Sequence, residues 1–140
     1  SGTDLEPGPI PLEVVGVACD MELAWAYLDT TESLPELAGA IRWTWAEHDR
    51  TVVVVDLRNL HGTSDGLESF SGIMTRGPVA RVSAIGKSLV LDAQKTLVAL
   101  DALDSEWILH WSAMGDGLSV LVPRKYGHEA QRRLHDRLIP

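Results

Sequence analysis

The hydrophobic pattern changes period several times along the chain, and these changes mark out its elements. Glu13 to Cys19 is rich in Val and small residues without a helical period. After a turn at Asp20, Met21, Leu23, Trp25 and Tyr27 alternate with Glu22, Ala24 and Ala26. Both stretches read as strands, the second pairing back on the first. Ser33-Leu34-Pro35-Glu36 has the spacing of a capping box with Pro in the first turn. Leu34, Leu37, Ala38, Ile41 and Trp45 follow at helical spacing, predicting a helix that ends near His48-Asp49, with Trp43 off its apolar face. Thr51 to Leu57 is a continuous β-branched run, the pattern of a central strand covered on both faces. Asn59 to Gly66 is turn chemistry, Leu67 to Met74 a weak strand, and Arg76-Gly77-Pro78 a break.

A second series starts at Val79. Val79 to Ile85 predicts a strand, and Ser88 to Leu103 a helix with Val90, Ala93, Leu97 and Leu100 on one side. Glu106 to Ser112 predicts a strand in which Trp107 and Trp111 share a face. Gly115-Asp116-Gly117 marks a tight hairpin leading into the strand Leu118 to Val122, which Pro123 stops. Tyr126, Ala130, Leu134 and Leu138 then trace a closing helix. The order of the first series repeats in the second, save for a missing closing helix, so the chain reads as a degenerate repeat. Helices on one face of mostly antiparallel strands make it an α+β protein. The expected division is a flexible lead-in over residues 1–12, a truncated first unit over 13–78 and a second unit over 79–140.

Composition narrows the function classes. The 140 residues are 45% hydrophobic and 23% charged, ordinary for a globular fold. A net charge of −8 argues against a nucleic-acid partner, because phosphate binding needs a basic surface. No apolar run approaches the roughly 20 residues of a membrane span. No signal segment is visible, so the cytoplasm is the expected compartment. The single cysteine, Cys19, allows no internal disulfide and has no basic neighbour in sequence to activate it. His48, His61, His110, His128 and His135 form no His-Glu-x-x-His pattern and there are no paired cysteines, so no metal site is expected. Gly86-Lys87-Ser88 holds only the tail of a phosphate-loop motif. No cofactor is expected.

Element order and residues together resemble the tandem ACT region at the regulatory end of bacterial aspartokinases. Val79-Ala80-Arg81-Val82-Ser83-Ala84-Ile85-Gly86 resembles the strand that opens the last ACT unit of those enzymes. Ile108 to Pro123 (ILHWSAMGDGLSVLVP) resembles the following strand pair, and Arg133-Leu134-His135-Asp136-Arg137-Leu138 the closing helix. Val15-Gly16-Val17-Ala18-Cys19-Asp20 looks like the entry to the first unit, and the resemblance spans nearly all of Val14 to Leu138. It implies two ferredoxin-like βαββαβ units, the first lacking its second helix. It implies a non-catalytic regulatory or assembly role, a homodimer, and an aspartokinase-like catalytic chain as partner, since the kinase fold itself is not in these residues.

The family holds an amino-acid effector at an Asp-x-Pro-Gly turn. Here that turn is Ser33-Leu34-Pro35-Glu36, where Glu replaces the Gly that permits close backbone approach. The hydroxyl-rich segment of the family has become Ser112-Ala113-Met114-Gly115. The expected ligand residues are Asp29, Thr30, Thr31 and Ser33 at the first helix's N-terminus, Arg58 and Asn59 at the end of the central strand, and Ser112. Two alternatives stand beside this reading. The fold is repurposed as a small enzyme or metabolite-binding protein with His110 or Asp56 as acid/base, or it serves purely as a dimerisation module. Five Trp in such a short chain point to protein–protein contact.

Overall fold

The computed structural model describes residues 14–60, 67, 70–86, 92–114 and 117–139. The expected lead-in over 1–12 therefore lies outside the described residues, as do most of the turn expected over Asn59 to Gly66 and the start expected for the second helix at Ser88. The architecture is α+β, an antiparallel sheet with helices. In chain order its elements are β1 (Gly16–Leu28), α1 (Leu34–Leu37), β2 (Ile41–Glu47), β3 (Arg50–Asp56), β4 (Ile73–Ile85), α2 (Ala93–Asp101), β5 (His110–Met114), β6 (Gly117–Pro123) and α3 (Gly127–Leu138). Two compact units form from interleaved pieces. One joins Asp20–Arg81 to Val122–Gly127, and the other joins Val82–Leu121, the chain up to Cys19 and the chain from His128 onward. The boundary expected after residue 78 falls inside β4.

In the first of these units the strand order is β2-β3-β1-β4. The β-branched run behaves as its composition requires: Val52, Val53, Val54 and Val55 of β3 are all buried. It pairs antiparallel with β1 from Leu23↔Asp56 to Leu28↔Thr51, and with β2 from Trp43↔Val54 to Glu47↔Arg50. One face of this sheet packs Ala24, Ala26, Val53 and Val55 against Leu37, Ala40 and Leu67. The opposite face carries two rows of register partners, Trp25–Val54–Trp43 and Tyr27–Val52–Trp45.

Three sequence expectations fail in this unit. The turn at Asp20 does not form, and Gly16–Leu28 is one strand of 13 residues. The long helix from Ser33 is a single turn, and Ile41–Glu47 is a strand. Leu37, Ile41 and Trp45 fit a helical face, but Ile41, Trp43 and Trp45 also alternate with Arg42, Thr44 and Ala46. The aromatic and β-branched residues decide between the two periods. A strand also gives Trp43 a place beside Trp45, which the helix could not. The capping box is not made: Ser33 makes no side-chain cap, and its Oγ donates to the Ser71 carbonyl at 2.9 Å.

In the other unit the order is β1-β4-β6-β5. The break expected at Arg76-Gly77-Pro78 does not end β4. Gly77 takes φ 133°, a conformation open to glycine, and Pro78 has no N–H to place in the ladder, yet the strand Ile73–Ile85 runs through both. The Asp92 carboxylate caps α2 by accepting from Gln94 N at 2.9 Å. Trp107 lies in a 3₁₀ turn (Ser105–Trp107) and not in β5, so it does not share a strand face with Trp111. It is buried beneath the Arg133 guanidinium at 4.4 Å. β5 and β6 pair antiparallel from His110↔Leu121 to Met114↔Gly117, with the expected hairpin residues 115–116 outside the described set. Ala130 and Leu134 bury the inner face of α3.

Candidate functional site

Among the described residues the buried charged side chain is Asp56, at the C-terminal end of β3. Asp56 is the last residue of that strand, and its backbone N–H donates to the Ala40 carbonyl at 2.8 Å. Its side chain is buried, yet it is an obligate acceptor and must be satisfied there. Oδ1 accepts from the Arg58 backbone N–H at 2.9 Å and from Arg58 Nε at 2.8 Å, while Oδ2 accepts from Arg58 Nη2 at 3.1 Å. Arg42 Nη2 stands 3.6 Å from the same Oδ2. The remaining reach of Arg58 goes to Asp20, whose Oδ2 accepts from Nη2 at 2.8 Å. The 3₁₀ turn Leu57–Asn59 makes this local: it brings Arg58 back over the carboxylate that caps it.

The electrostatics follow from these contacts. The Arg58 side-chain bonds hold the Asp56 carboxyl below the ordinary carboxylate range, against an opposing push from burial. Arg58 in turn is raised, chiefly by Asp56 and then by Asp20. A carboxylate so held is a poor proton acceptor, which disfavours the acid/base role considered for Asp56. Its contribution to stability has a definite sign. The unfolded chain takes up the proton first on acidification, so the contribution is full above about pH 4–5 and fades as pH falls through the lowered folded value. Asp56→Asn should therefore lower stability by about 2 kcal/mol near neutrality. Urea unfolding at pH 7 and pH 3 checks this, and the gap between variant and wild type should narrow in acid.

The expected ligand residues fall in three places. Asp29, Thr30, Thr31 and Ser33 share one segment before α1. It is fastened to the start of β4: Asp29 N–H donates to the Gly72 carbonyl at 2.8 Å, Ser33 to Ser71 as above, and Ser71 Oγ to Glu32 at 3.0 Å. Thr30 Oγ1 accepts from Glu32 N at 3.2 Å, Asp29, Thr30 and Thr31 are exposed, and Ser33 is buried. Arg58 and Asn59 lie together in the 3₁₀ turn, with the Arg58 guanidinium already shared between two carboxylates. Ser112 and His110 are on β5, in the other compact unit. Sequence reasoning missed Asp20 and Arg42 as members of the Asp56 cluster. The sequence pattern places Asp20 in a turn and singles out nothing at Arg42, which lies within the segment expected to be helical.

A shallow open groove of about 320 Å³ lies between the end of α2 and α3, lined by Ala102, Arg132, Arg133, Asp136 and Arg137. It holds neither His110 nor Asp56, and two of its arginines are committed to carboxylates, Arg132 to Glu129 and Asp136, Arg133 to Glu129 and Asp104. Among the described residues no group of three His, Cys, Asp or Glu side chains could hold a metal ion, and no helix is long and apolar enough to cross a membrane.

No family model matches the chain, and no curated protein matches it significantly. Solved structures do. The ligand-free regulatory subunit of aspartate kinase from Thermus thermophilus matches with a TM-score of 0.66 at 20% identity, over 89% of this chain and 97% of that one. The fold is that of an aspartate kinase regulatory subunit. Whole kinases match over about a third of their length. Aspartate kinase from Clostridium acetobutylicum has a TM-score of 0.68 at 12% identity, covering 90% of this chain and 35% of that one. E. coli aspartokinase III in complex with lysine and aspartate, in the T-state, has 0.61 at 18%, covering 93% and 34%. At these identities the likeness is one of fold.

Proposed function

We propose that this chain is a non-catalytic regulatory or assembly protein of the ACT type, acting as a homodimer on a separate aspartokinase-like catalytic chain. In this reading it holds two βαββαβ units, residues 13–78 and 79–140 in chain order, the first without its second helix. The observation that carries the proposal is the end-to-end match with a regulatory subunit, 97% of which is covered. The chemistry of the site supports it. Asp56 is held by two arginines in a role that shapes the end of β3.

An amino-acid effector, the further part of the proposal, would use the exposed groups of Asp29, Thr30 and Thr31 together with Asn59. Its carboxylate would enter by displacing Asp20, the more exposed of the two partners of Arg58. Ser33, bonded to Ser71, would act in shaping its loop, and Ser112 would act from β5 in the other unit. The test combines the purified chain with an aspartokinase catalytic chain from the same genome. Formation of a complex in sedimentation and a change in kinase rate are expected. Calorimetric titration with lysine, threonine and aspartate reports on the effector. Absence of any complex, or turnover of a substrate by the chain alone, would overturn the proposal.

A further inference from the structure

The face of the sheet formed by the Trp25 and Tyr27 rows carries guanidinium groups over its rings. Trp45 stands 6.2 Å from Trp25 and 5.6 Å from Trp43 between ring centres. Over these rings lie Arg76, 5.7 Å from the Trp25 centroid and 4.9 Å from that of Tyr27, and Arg50, 4.4 Å from Tyr27. A guanidinium stacked on a ring satisfies its flat face and leaves its N–H edge directed outward.

Charge pairing separates these two arginines from four others. Arg42, Arg58, Arg132 and Arg133 each meet a carboxylate. Arg50 and Arg76 are exposed, and among the described residues neither forms an ion pair. This holds in a chain with 20 acidic and 12 basic residues. Glu47, directly across the hairpin from Arg50, accepts from the Tyr27 hydroxyl at 3.3 Å. The face is thus cationic on an acidic protein. We infer that it is a docking surface for a carboxylate-rich segment of a partner protein, held by the outward edges of Arg50 and Arg76 and by the flanks of Trp25 and Trp45. Guanidinia already cover the ring faces, which disfavours stacking of nucleobases. A second copy placed face to face would set guanidinium against guanidinium. The surface stands independently of the regulatory reading, since it invokes neither the Asp56 cluster nor a kinase.

The experiment titrates the full chain with poly-L-glutamate and follows tryptophan fluorescence at about 0.15 M salt. There the Debye length of about 8 Å screens the net negative charge of the whole and leaves the local face to decide. Saturable binding is expected. It should weaken by about tenfold or more in Arg50→Glu/Arg76→Glu, and be unchanged by Arg137→Glu on the exposed side of α3. Arg50→Gln/Arg76→Gln, which removes charge without reversing it, should also weaken binding and serves if the reversal variant loses its far-UV circular dichroism. Three results would overturn the inference. One is no binding of poly-L-glutamate, or equal binding by both double variants. Another is tighter binding of poly(U) that the same variants abolish, and the third is self-association in sedimentation that they abolish.

Discussion

Leu37→Ala is expected to lower the stability of the chain by about 3 kcal/mol, the middle of the range for truncating a buried leucine. Leu37 is fully buried in the cluster of Ala24, Ala26, Val53 and Val55. It sits on α1, a helix of only four residues, far too short to persist without tertiary contacts. The burial of this one side chain therefore fixes where α1 lies. Ala40 follows directly, its N–H donating to the Leu37 carbonyl at 2.8 Å and its own carbonyl receiving the Asp56 N–H. Loosening Leu37 should thus loosen the backbone tie at Asp56 and, through it, the Arg58 and Arg42 contacts. Leu37→Met, close in volume, should lose less than about 1.5 kcal/mol. Urea unfolding followed by tryptophan fluorescence measures both. If the alanine variant lost under 1 kcal/mol, α1 would not be the anchor described.

The elements legible in the sequence are those whose pattern admits one reading. Val52 to Val55 cannot be an amphipathic helix or an exposed strand, and β3 is buried on both faces. Leu118 to Val122 and the i+4 series Ala130, Leu134 and Leu138 are equally unambiguous, and β6 and α3 form there. The segment from Leu34 to Trp45 admits two readings because its apolar residues satisfy two periods at once. Only the strand period accommodates Trp43, and only a neighbouring strand, β3, makes that period the stable one. The break at Gly77-Pro78 failed for a related reason. Local chemistry says that the ladder is interrupted there, and the partners on either side decide whether the strand resumes.

The site was legible by halves. Arg58 is legible from its place at the end of a central strand, Asp56 enters only as an alternative acid/base, and their separation of two residues makes the contact local. Asp20, 38 residues from Arg58, reaches it at 2.8 Å only because β1 lies beside β3. No spacing rule in one sequence reports such a meeting. The cationic face was hidden in the same way. Arg50 and Arg76 are separated by β3 and the whole of the segment after it, and they meet over Tyr27 only in the assembled sheet.

Gly117→Ala is expected to destabilise the chain by about 2–3 kcal/mol, although alanine is the mildest replacement available. Gly117 begins β6 and faces Met114 across the hairpin. A Cβ built on it would stand 2.5 Å from the Ala84 carbonyl oxygen, with the Ala84 carbonyl carbon and Ile85 Cα at 3.5 Å. All three obstacles are backbone atoms of β4, so no side chain can rotate away to make room. Relief requires β6 to move from β4, and Leu118 and Val120 behind it are packed with almost no exposed surface. The strain should appear as a lower melting temperature with the secondary structure retained. Gly39→Ala supplies the control. No atom lies within 4 Å of its added carbon and its φ is not positive, so reduced freedom of the unfolded chain should leave that variant neutral or more stable by up to about 1 kcal/mol. Equal melting of the two variants would show that β4 and β6 do not approach as closely as described.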